Sequence, residues 1–446
     1  MKNPFEKFKK QKEDHSQDGY DDSSNNGKFI TVIKKIGNYF NTEPQKEKVL
    51  SHEDFDAAGD IYYASVSAHY KVAQRILVLL LVFFIVFSII TNFQEITFDN
   101  FYYLVKDFTS ASDVGQNNYE TLSYESDSRQ NFVMYRGGIA TVSPSKISIF
   151  TATGRRTLND TSTFSSPFAV SSDRYVLFYD TAGNKFSVYN SFARVYNEEL
   201  ENPVKTASLG DDGSFAVVTR SSTGSWNIRL YTKSFTHKAT IPVGSYIFSI
   251  DLDSELQKLS VLSYERGNGS GRTNLTVYDL SKMSDNKGNE ISIEKELSFD
   301  GEAPIKCGYL DKGILAVITN RSVRLYDKNY ESRNEDVDIS GGNLTGYHIS
   351  KEGVAVSVMR SSSSSLLAYD GNGKLLCDRG VSYNVSDVCV YGSKIFLRID
   401  QGVVRIDPSN NERQLLTSSS GKMLIYNGET ALICGESKAE YLIFNK

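Results

Sequence analysis

The chain has 446 residues, of which 40% are hydrophobic and 23% are charged, and its formal net charge is −5. This composition is typical of a folded protein long enough for more than one domain, and its mild acidity argues against a nucleic-acid partner. Residues 1–75 hold twelve basic and twelve acidic residues, so the net negative charge falls on the rest of the chain.

The first 75 residues alternate in charge block by block and contain few apolar residues. Such a pattern predicts a mostly disordered tail. Within it, Phe29, Ile33, Ile36 and Phe40 recur at helical spacing beside three lysines. They predict a short amphipathic helix that could lie on the inner leaflet of a membrane or dock in a partner's groove. The alternative is a transient helix without a partner.

An uncharged apolar run begins at Ile76 and extends to Phe93. At about 1.5 Å per residue it would span roughly 27 Å, close to the thickness of a bilayer core. The run starts too late in the chain for a cleaved signal peptide and has no small-residue cleavage pattern behind it. We therefore predict a retained transmembrane helix over residues 76–93.

The charges that flank this run predict its orientation. Lys71 and Arg75 precede it, whereas residues 94–113 contain four acidic residues and one basic residue. By the positive-inside rule, this asymmetry places residues 1–75 in the cytoplasm and the C-terminal part outside it, at the cell membrane. Residues 94–118 are expected to form a juxtamembrane linker with a short amphipathic helix over residues 96–108.

A strand ending recurs through the C-terminal part: an alternating apolar stretch, one aromatic or aliphatic residue, and then Asp, Asn or Thr. We call the aromatic or aliphatic position the landmark residue. Its eight copies are Phe150, Tyr189, Tyr231, Tyr278, Tyr326, Tyr369, Ile406 and Phe444. They are 37 to 48 residues apart, which is the period of a four-stranded propeller blade. Residues 119–446 are thus predicted to form an all-β propeller of eight blades, with seven as the alternative.

The other strands of each unit follow in a fixed order around the landmark. A mixed strand ending in a turn (FAVSSD) comes first, a very apolar strand (YVLFY) second, the landmark strand third and a fourth strand (FARVYN) last. The last unit has no fourth strand after Phe444. The stretch YETLSY at residues 119–124 is predicted to supply it and so to close the ring without exposed sheet edges. Gly- and Ser-rich hairpins at residues 267–273, 285–290 and 361–365 are expected to lengthen their units.

The four cysteines, Cys307, Cys377, Cys389 and Cys434, all lie in apolar stretches without C-x-x-C spacing. This placement favours small buried side chains, with one disulfide as the alternative.

Several stretches resemble a known but uncharacterised group of proteins. NFVMYRGGIATVSPSKISIF, YVLFYDTAGNKFSVY, SLGDDGSFAVVTRSS and ISKEGVAVSVM, together with the N-terminal anchor, resemble a bacterial domain-of-unknown-function family of membrane-anchored β-propellers. That family is distantly similar to quinoprotein and WD-type propellers. The resemblance covers roughly residues 95–446 and implies only the fold and the location, because the family has no assigned activity.

No catalytic signature emerges from the sequence. Quinone-cofactor propellers use repeated Trp residues, whereas this chain has one, Trp226, and its five His residues are scattered. Asp251, Asp253 and Glu255 alternate like partial calcium ligands but lack the rest of a calcium loop, which predicts an acidic solvent-exposed turn. We therefore predict no catalytic, cofactor-binding or metal-binding residues and no cofactor.

The features above favour a membrane-anchored, extracytoplasmic binding or scaffolding module for an unidentified protein or other partner in the cell envelope. An enzyme is the less favoured reading. Two alternatives remain: an exported hydrolase of glycan or peptide with its site in the central channel, and a transmembrane sensor that signals through the tail.

Overall fold

The computed structural model describes residues 69–70, 73–84, 86–87, 121–127, 129–266, 271–282, 291–334, 336–361, 363–409 and 412–445. The chain divides into two units, Met1–Phe93 and Gln94–Lys446. In the first unit the described residues are helical. No helix within the described ranges is both long enough and apolar enough to cross a membrane. The predicted span of residues 76–93 lies only partly within those ranges, and the predicted helices of the tail and of residues 96–108 lie outside them.

The second unit is an eight-bladed β-propeller, since its strands form eight antiparallel sheets of four. This confirms the all-β class and the eight blades, and the seven-bladed alternative is wrong. Seven blades take four consecutive strands each, and blade 8 combines three C-terminal strands with β1. The first strands of neighbouring blades contact one another, so these inner strands surround the central channel.

The strands of the first four blades follow the predicted order. Blade 1 contains β2 (Asn131–Tyr135), β3 (Gly138–Val142), β4 (Lys146–Phe150) and β5 (Arg156–Thr161); blade 2 contains β6 (Pro167–Ser171), β7 (Val176–Asp180), β8 (Lys185–Tyr189) and β9 (Arg194–Glu199); blade 3 contains β10 (Val204–Leu209), β11 (Phe215–Arg220), β12 (Trp226–Tyr231) and β13 (His237–Val243); blade 4 contains β14 (Tyr246–Asp253), β15 (Lys258–Arg266), β16 (Gly271–Asp279) and β17 (Ser292–Asp300).

The remaining blades complete the ring, with a 3-10 turn at Asp311–Gly313 in blade 5. Blade 5 contains β18 (Pro304–Tyr309), β19 (Leu315–Thr319), β20 (Ser322–Tyr326) and β21 (Val337–Asp338); blade 6 contains β22 (Asn343–Ser350), β23 (Gly353–Arg360), β24 (Ser363–Asp370) and β25 (Leu375–Val381); blade 7 contains β26 (Val385–Tyr391), β27 (Lys394–Ile399), β28 (Gly402–Asp407) and β29 (Glu412–Thr417); blade 8 contains β30 (Lys422–Asn427), β31 (Thr430–Cys434), β32 (Lys438–Ile443) and β1 (Leu122–Ser123).

The recurrent strand ending has a local physical cause. The Asp or Asn after the landmark residue accepts hydrogen bonds from backbone amides of the following turn: Asp370 Oδ1 accepts from Asn372 and Lys374 at 2.9 Å, and Asn190 Oδ1 accepts from Ala193 at 2.8 Å. Such side-chain bonds replace backbone partners in tight turns. The landmark motif therefore marks the point at which the third strand turns into the fourth.

The hydrophobic core is divided among the blade interfaces. Within the described residues there are eight buried apolar clusters, and each one joins side chains of two neighbouring blades. Second strands such as β3, β7 and β19 are buried along their whole length because they are covered on both faces. All four cysteines are buried and free, as the apolar context of each predicted, and the disulfide alternative is wrong.

Strand β1 closes the ring, which confirms the prediction for YETLSY. Leu122 pairs with Ala439 and Ser123 with Lys438. Leu122 is buried in the cluster that joins blades 8 and 1, and the Tyr124 hydroxyl donates to the Gly435 carbonyl at 2.8 Å. Residues more than 300 positions apart in sequence therefore share one sheet.

Replacing Leu122 should weaken this closure. Leu122 is buried, so Leu122→Ala removes apolar contacts and leaves a cavity. We expect the free energy of unfolding, measured by urea denaturation, to fall by about 2–5 kcal/mol. Ser123→Ala is the control, because Ser123 is exposed on the same strand, and it should change the free energy of unfolding by less than about 0.5 kcal/mol. Equal effects of the two substitutions would contradict closure by β1.

A buried ion pair joins blade 5 to the connection from blade 4. The two terminal nitrogens of Arg324, on β20, donate to the two carboxylate oxygens of Glu302 at 2.8 Å, and its Nε donates to Asp336 at 2.8 Å. The guanidinium also lies 4.5 Å from the ring centroid of Phe299. Hydrogen bonding to Arg324 is the main reason that the pKa of Glu302 falls to about 2.

Removal of Arg324 should be costly. Arg324→Ala leaves the Glu302 carboxylate without its partner in a buried place, so we expect a loss of about 3 kcal/mol in the free energy of unfolding. Arg272→Ala is the matched control, since Arg272 makes an exposed pair with Asp300, and it should cost at most about 1 kcal/mol. Urea denaturation at pH 7 measures both, and similar losses would show that burial of the pair has no effect.

Candidate functional site

The mouth of the central channel holds a cavity of about 480 Å³ to which all eight blades contribute. It opens at the turns that join the first and second strand of each blade, the A–B turns. Propeller geometry explains this position, because the inner strands end side by side around the axis. A cavity of this size is typical of small-molecule sites.

The inner strands of blades 3 to 7 share a β-bulge. In each, one residue near the start of the strand has no partner on the second strand: Lys205, Phe248, Ile305, Thr345 and Ser386. A bulge re-aims the side chains that follow it. Polar residues one or three positions after the bulge include Asp251, Lys306, His348 and Asp387, of which Asp251 and Lys306 line the cavity.

Asp251 corrects one sequence prediction. It lies within β14 rather than in a solvent-exposed turn, and Asp253 is the last residue of that strand; of the three acidic residues, only Glu255 lies in the turn. The Asp251 carboxylate accepts from the Ser208 hydroxyl at 3.2 Å and from the Tyr309 amide at 2.8 Å. Burial raises the pKa of Asp251 in spite of these donors. Asp251 thus bridges the inner strands of blades 3, 4 and 5.

Inner strands in this part of the ring lie too close for ordinary side chains at two points. A Cβ on Gly308 would lie 2.8 Å from Cγ2 of Ile349, and one on Gly346 would lie 2.9 Å from the Asp387 Cα. Glycine permits these approaches. The polar groups of blades 4 to 7 are thereby drawn towards a common centre.

Among the charged lining residues, Lys306 lies farthest from the A–B turn of its blade, three residues before the end of β18. Its side chain is half-buried and lines the cavity, and no protein acceptor bonds its ammonium within the described part of the chain. Its positive charge reaches groups on other blades: it contributes, after burial, to the low pKa of His348, about 4, and to the lowered pKa of Lys422.

Two other charged residues of the inner strands, Lys422 and Asp387, have hydrogen-bond partners within the protein. The Lys422 ammonium donates to the Phe132 carbonyl at 2.9 Å, and Asp387 accepts from the Val388 amide at 2.8 Å. Burial raises the pKa of Asp387. These groups have partners, whereas Lys306 faces the open cavity.

The outer rim of the cavity is mainly acidic. Lys351, on the A–B turn of blade 6, forms an ion pair with Asp211 on the A–B turn of blade 3 and so spans the mouth. Asp173 and Asp253 also line the rim, and Arg136 donates to the Asp173 carbonyl at 2.9 Å. With Asp173, Asp211 and Asp253 against Arg136 and Lys351, the rim carries one more acidic than basic side chain.

One serine and one histidine meet at the channel, but they do not form an effective nucleophile. His348 Nε2 lies 2.9 Å from the Ser350 hydroxyl. A general base works best with a pKa near the working pH and with an orienting carboxylate. Burial lowers the pKa of His348 to about 4, and no carboxylate bonds its ring among the described residues. The described residues also hold no group of three or more His, Cys, Asp or Glu that could bind a metal ion.

The channel residues are far apart in the sequence because they come from different repeats, so their spacing does not show that they lie in one site. A weak signal does exist: Lys306, His348 and Asp387 stand 20, 21 and 19 residues before the landmark residues of their own units. In the structure Lys306 and Asp387 occupy equivalent positions, one residue after the bulge, whereas His348 lies two residues further along its strand.

An eight-bladed ring with a polar cavity at its channel mouth defines a β-propeller whose fold fits a binding or scaffolding module. The chain belongs to DUF5711, a family of unknown function, whose pattern matches residues 112–438. No protein of curated function matches the chain.

Three solved structures with a similar fold are distant from this chain in sequence. Sqt1 of Saccharomyces cerevisiae matches with 9% identity and a TM-score of 0.51, over 72% of this chain and 98% of that one. The Pan2 WD40 domain of Neurospora crassa has 13% identity and a TM-score of 0.42, over 62% and 89%. The dihydro-heme d1 dehydrogenase NirN, in complex with DHE, has 13% identity and a TM-score of 0.47, over 73% and 76%. These likenesses show the fold alone.

Titration of His348 should make stability depend on pH. Its pKa falls from 6.5 to about 4 on folding, so the unfolded chain takes up the proton first and stability falls as pH drops between these values. We expect His348→Gln to lose less stability than the wild type between pH 7 and pH 4 in urea denaturation. His237→Gln is the control: burial lowers the pKa of His237 as well, but this residue is exposed, so the variant should follow the wild type more closely. Parallel pH profiles for wild type and His348→Gln would contradict the burial of a neutral imidazole.

Proposed function

We propose that this protein is a single-pass membrane protein that holds its propeller outside the cytoplasm, where it binds or scaffolds partners of the cell envelope. The proposal joins three features of the chain: an apolar helical segment, a closed propeller and the charge asymmetry around the segment.

The observation that carries the proposal is the exposure of apolar side chains in the described helical residues before the propeller. Leu77 is 67% exposed and Phe84 is 68% exposed, and most large apolar side chains between them are also exposed. An exposed apolar surface of this kind marks a contact with a membrane or another protein. An uncharged run that continues in sequence to Phe93 favours the bilayer.

The propeller supplies the binding part of the proposal. Its eight apolar interfaces and its closing strand give a rigid ring whose turns converge on one mouth. Surface loops on a rigid scaffold are common carriers of recognition. Blades 4 and 6 are the longest, with strands of up to nine and eight residues, as the Gly- and Ser-rich hairpins predicted.

The anchor can be tested by adding charge to it. Leu80→Lys combined with Phe84→Lys puts two lysines into the apolar run, each at a cost of about 2.5–3.5 kcal/mol for insertion. We expect this variant to leave the membrane fraction after carbonate extraction. The control, Tyr70→Lys with Gln74→Lys, adds the same charge before the run and should stay in the membrane. Release of both variants, or of neither, would contradict an anchor over residues 76–93.

The orientation and the partner need a second experiment on cells stripped of their wall. Protease should digest the propeller and leave residues 1–75 protected, because Lys71 and Arg75 precede the run. Crosslinking of full-length protein and of a form without residues 1–75 should then capture the same envelope partners. A protected propeller with a digested tail would overturn the proposed location.

A further inference from the structure

The channel cavity brings seven charged side chains together at one place in the propeller. It is lined by four acidic side chains, Asp173, Asp211, Asp251 and Asp253, and by three basic ones, Arg136, Lys306 and Lys351. Which of these charges the protein already pairs decides what a ligand could contact.

Four of the seven charged side chains are engaged within the fold: Arg136, Asp211, Asp251 and Lys351. Arg136 donates to the Asp173 carbonyl at 2.9 Å. Asp251 has both oxygens bonded, one to the Ser208 hydroxyl and the other to the Tyr309 amide. Lys351 and Asp211 form an ion pair with each other across the mouth. A further ligand group would have to displace these contacts.

At the deep side of the cavity, the N–H donors of the Lys306 ammonium have no hydrogen-bond acceptor among the described residues. The ammonium has three N–H groups, and no acceptor or carboxylate within the described residues lies close enough to bond or pair with them. The Lys306 charge acts on Asp251, but the Asp251 oxygens accept their hydrogen bonds from the neutral donors of Ser208 and Tyr309. A half-buried ammonium that faces a cavity favours an anionic acceptor.

At the rim the unused charge has the opposite sign. The Asp253 carboxylate accepts one bond at Oδ1, from the Leu256 amide at 2.9 Å, and Asp173, two blades away, is exposed on the same lining. Acidic oxygens there favour an ammonium or another N–H donor. The site therefore offers the N–H donors of Lys306 on its deep side and unused carboxylate oxygens at its mouth.

We propose that the channel binds a small zwitterion, a free amino acid or short peptide, with its carboxylate on Lys306 and its ammonium on the acidic rim at Asp253. The cavity of about 480 Å³ is large enough for such a molecule. This goes beyond the proposed function and does not depend on the anchor, since it concerns the propeller alone.

Titratable groups near Lys306 determine how binding at this site depends on pH. His348, Lys422, Cys389 and Asp251 all feel the charge of Lys306. Burial and the Lys306 charge hold the pKa of His348 near 4, so its imidazole is neutral at pH 7 and does not compete for the carboxylate. Binding should accordingly be steady between pH 6 and pH 7, and it should weaken towards pH 8, where the α-ammonium of the peptide begins to lose its proton.

The test uses purified full-length protein and calorimetric titration with diglycine, dialanine and glycyl-leucine, each also as its N-acetylated and its C-amidated form. We expect at least one free dipeptide to bind. Blocking either of its ends should weaken binding about tenfold, the loss typical of one charge-assisted hydrogen bond. Failure of all free dipeptides to bind, or equal binding of free and blocked forms, would overturn the proposal.

Two variants locate the contacts. In Lys306→Gln the free dipeptide should bind about tenfold more weakly and C-amidation should no longer matter; in Asp253→Asn N-acetylation should lose its effect. Lys328→Gln, with the same change of charge at an exposed turn of blade 5, should bind like the wild type. If Lys306→Gln does not fold, the Asp253→Asn result decides alone. Unchanged end-group preferences in both variants would refute the site, whereas the membrane experiments above would be unaffected.

Discussion

The packing of neighbouring blades against one another is the constraint on which the structure depends. Each blade has two apolar faces, and neither can be covered within its own sheet of four strands. Only a closed ring covers all of them, which is why one apolar cluster stands at every interface and why blade 8 takes a strand from the far end of the domain. The channel and its cavity are consequences of that closure, because the inner strands must end around one axis.

The blade plan could be predicted from sequence because its signals are local. A landmark residue followed by Asp, Asn or Thr marks a turn whose hydrogen bonds form within a few residues, and a very apolar strand marks the one that is covered on both faces. The outer strand of blade 5 escapes the pattern, since β21 has only two residues. Closure by residues near Leu122 followed from counting strands rather than from any property of that segment.

The channel site could not be predicted in the same way, because its members depend on contacts between repeats. Asp251 belongs to a stretch that resembles a solvent turn, and only the amide of Tyr309 and the hydroxyl of Ser208, on the two neighbouring blades, explain why it is buried. The Lys351–Asp211 pair joins turns that are 140 residues apart. Bulges on five inner strands decide which side chains approach the axis, and a bulge has no clear composition signal.

The closing strand also has a mechanical meaning. Any tension applied to the chain upstream of residue 121 reaches the propeller first through β1, which holds blade 8 by only two paired residues and the anchoring of Leu122 and Tyr124. The other seven blades are each continuous in sequence and bear no such load. A steady pull would therefore peel off β1 before any other strand yields, so blade 8 is the weakest link of the ring under force.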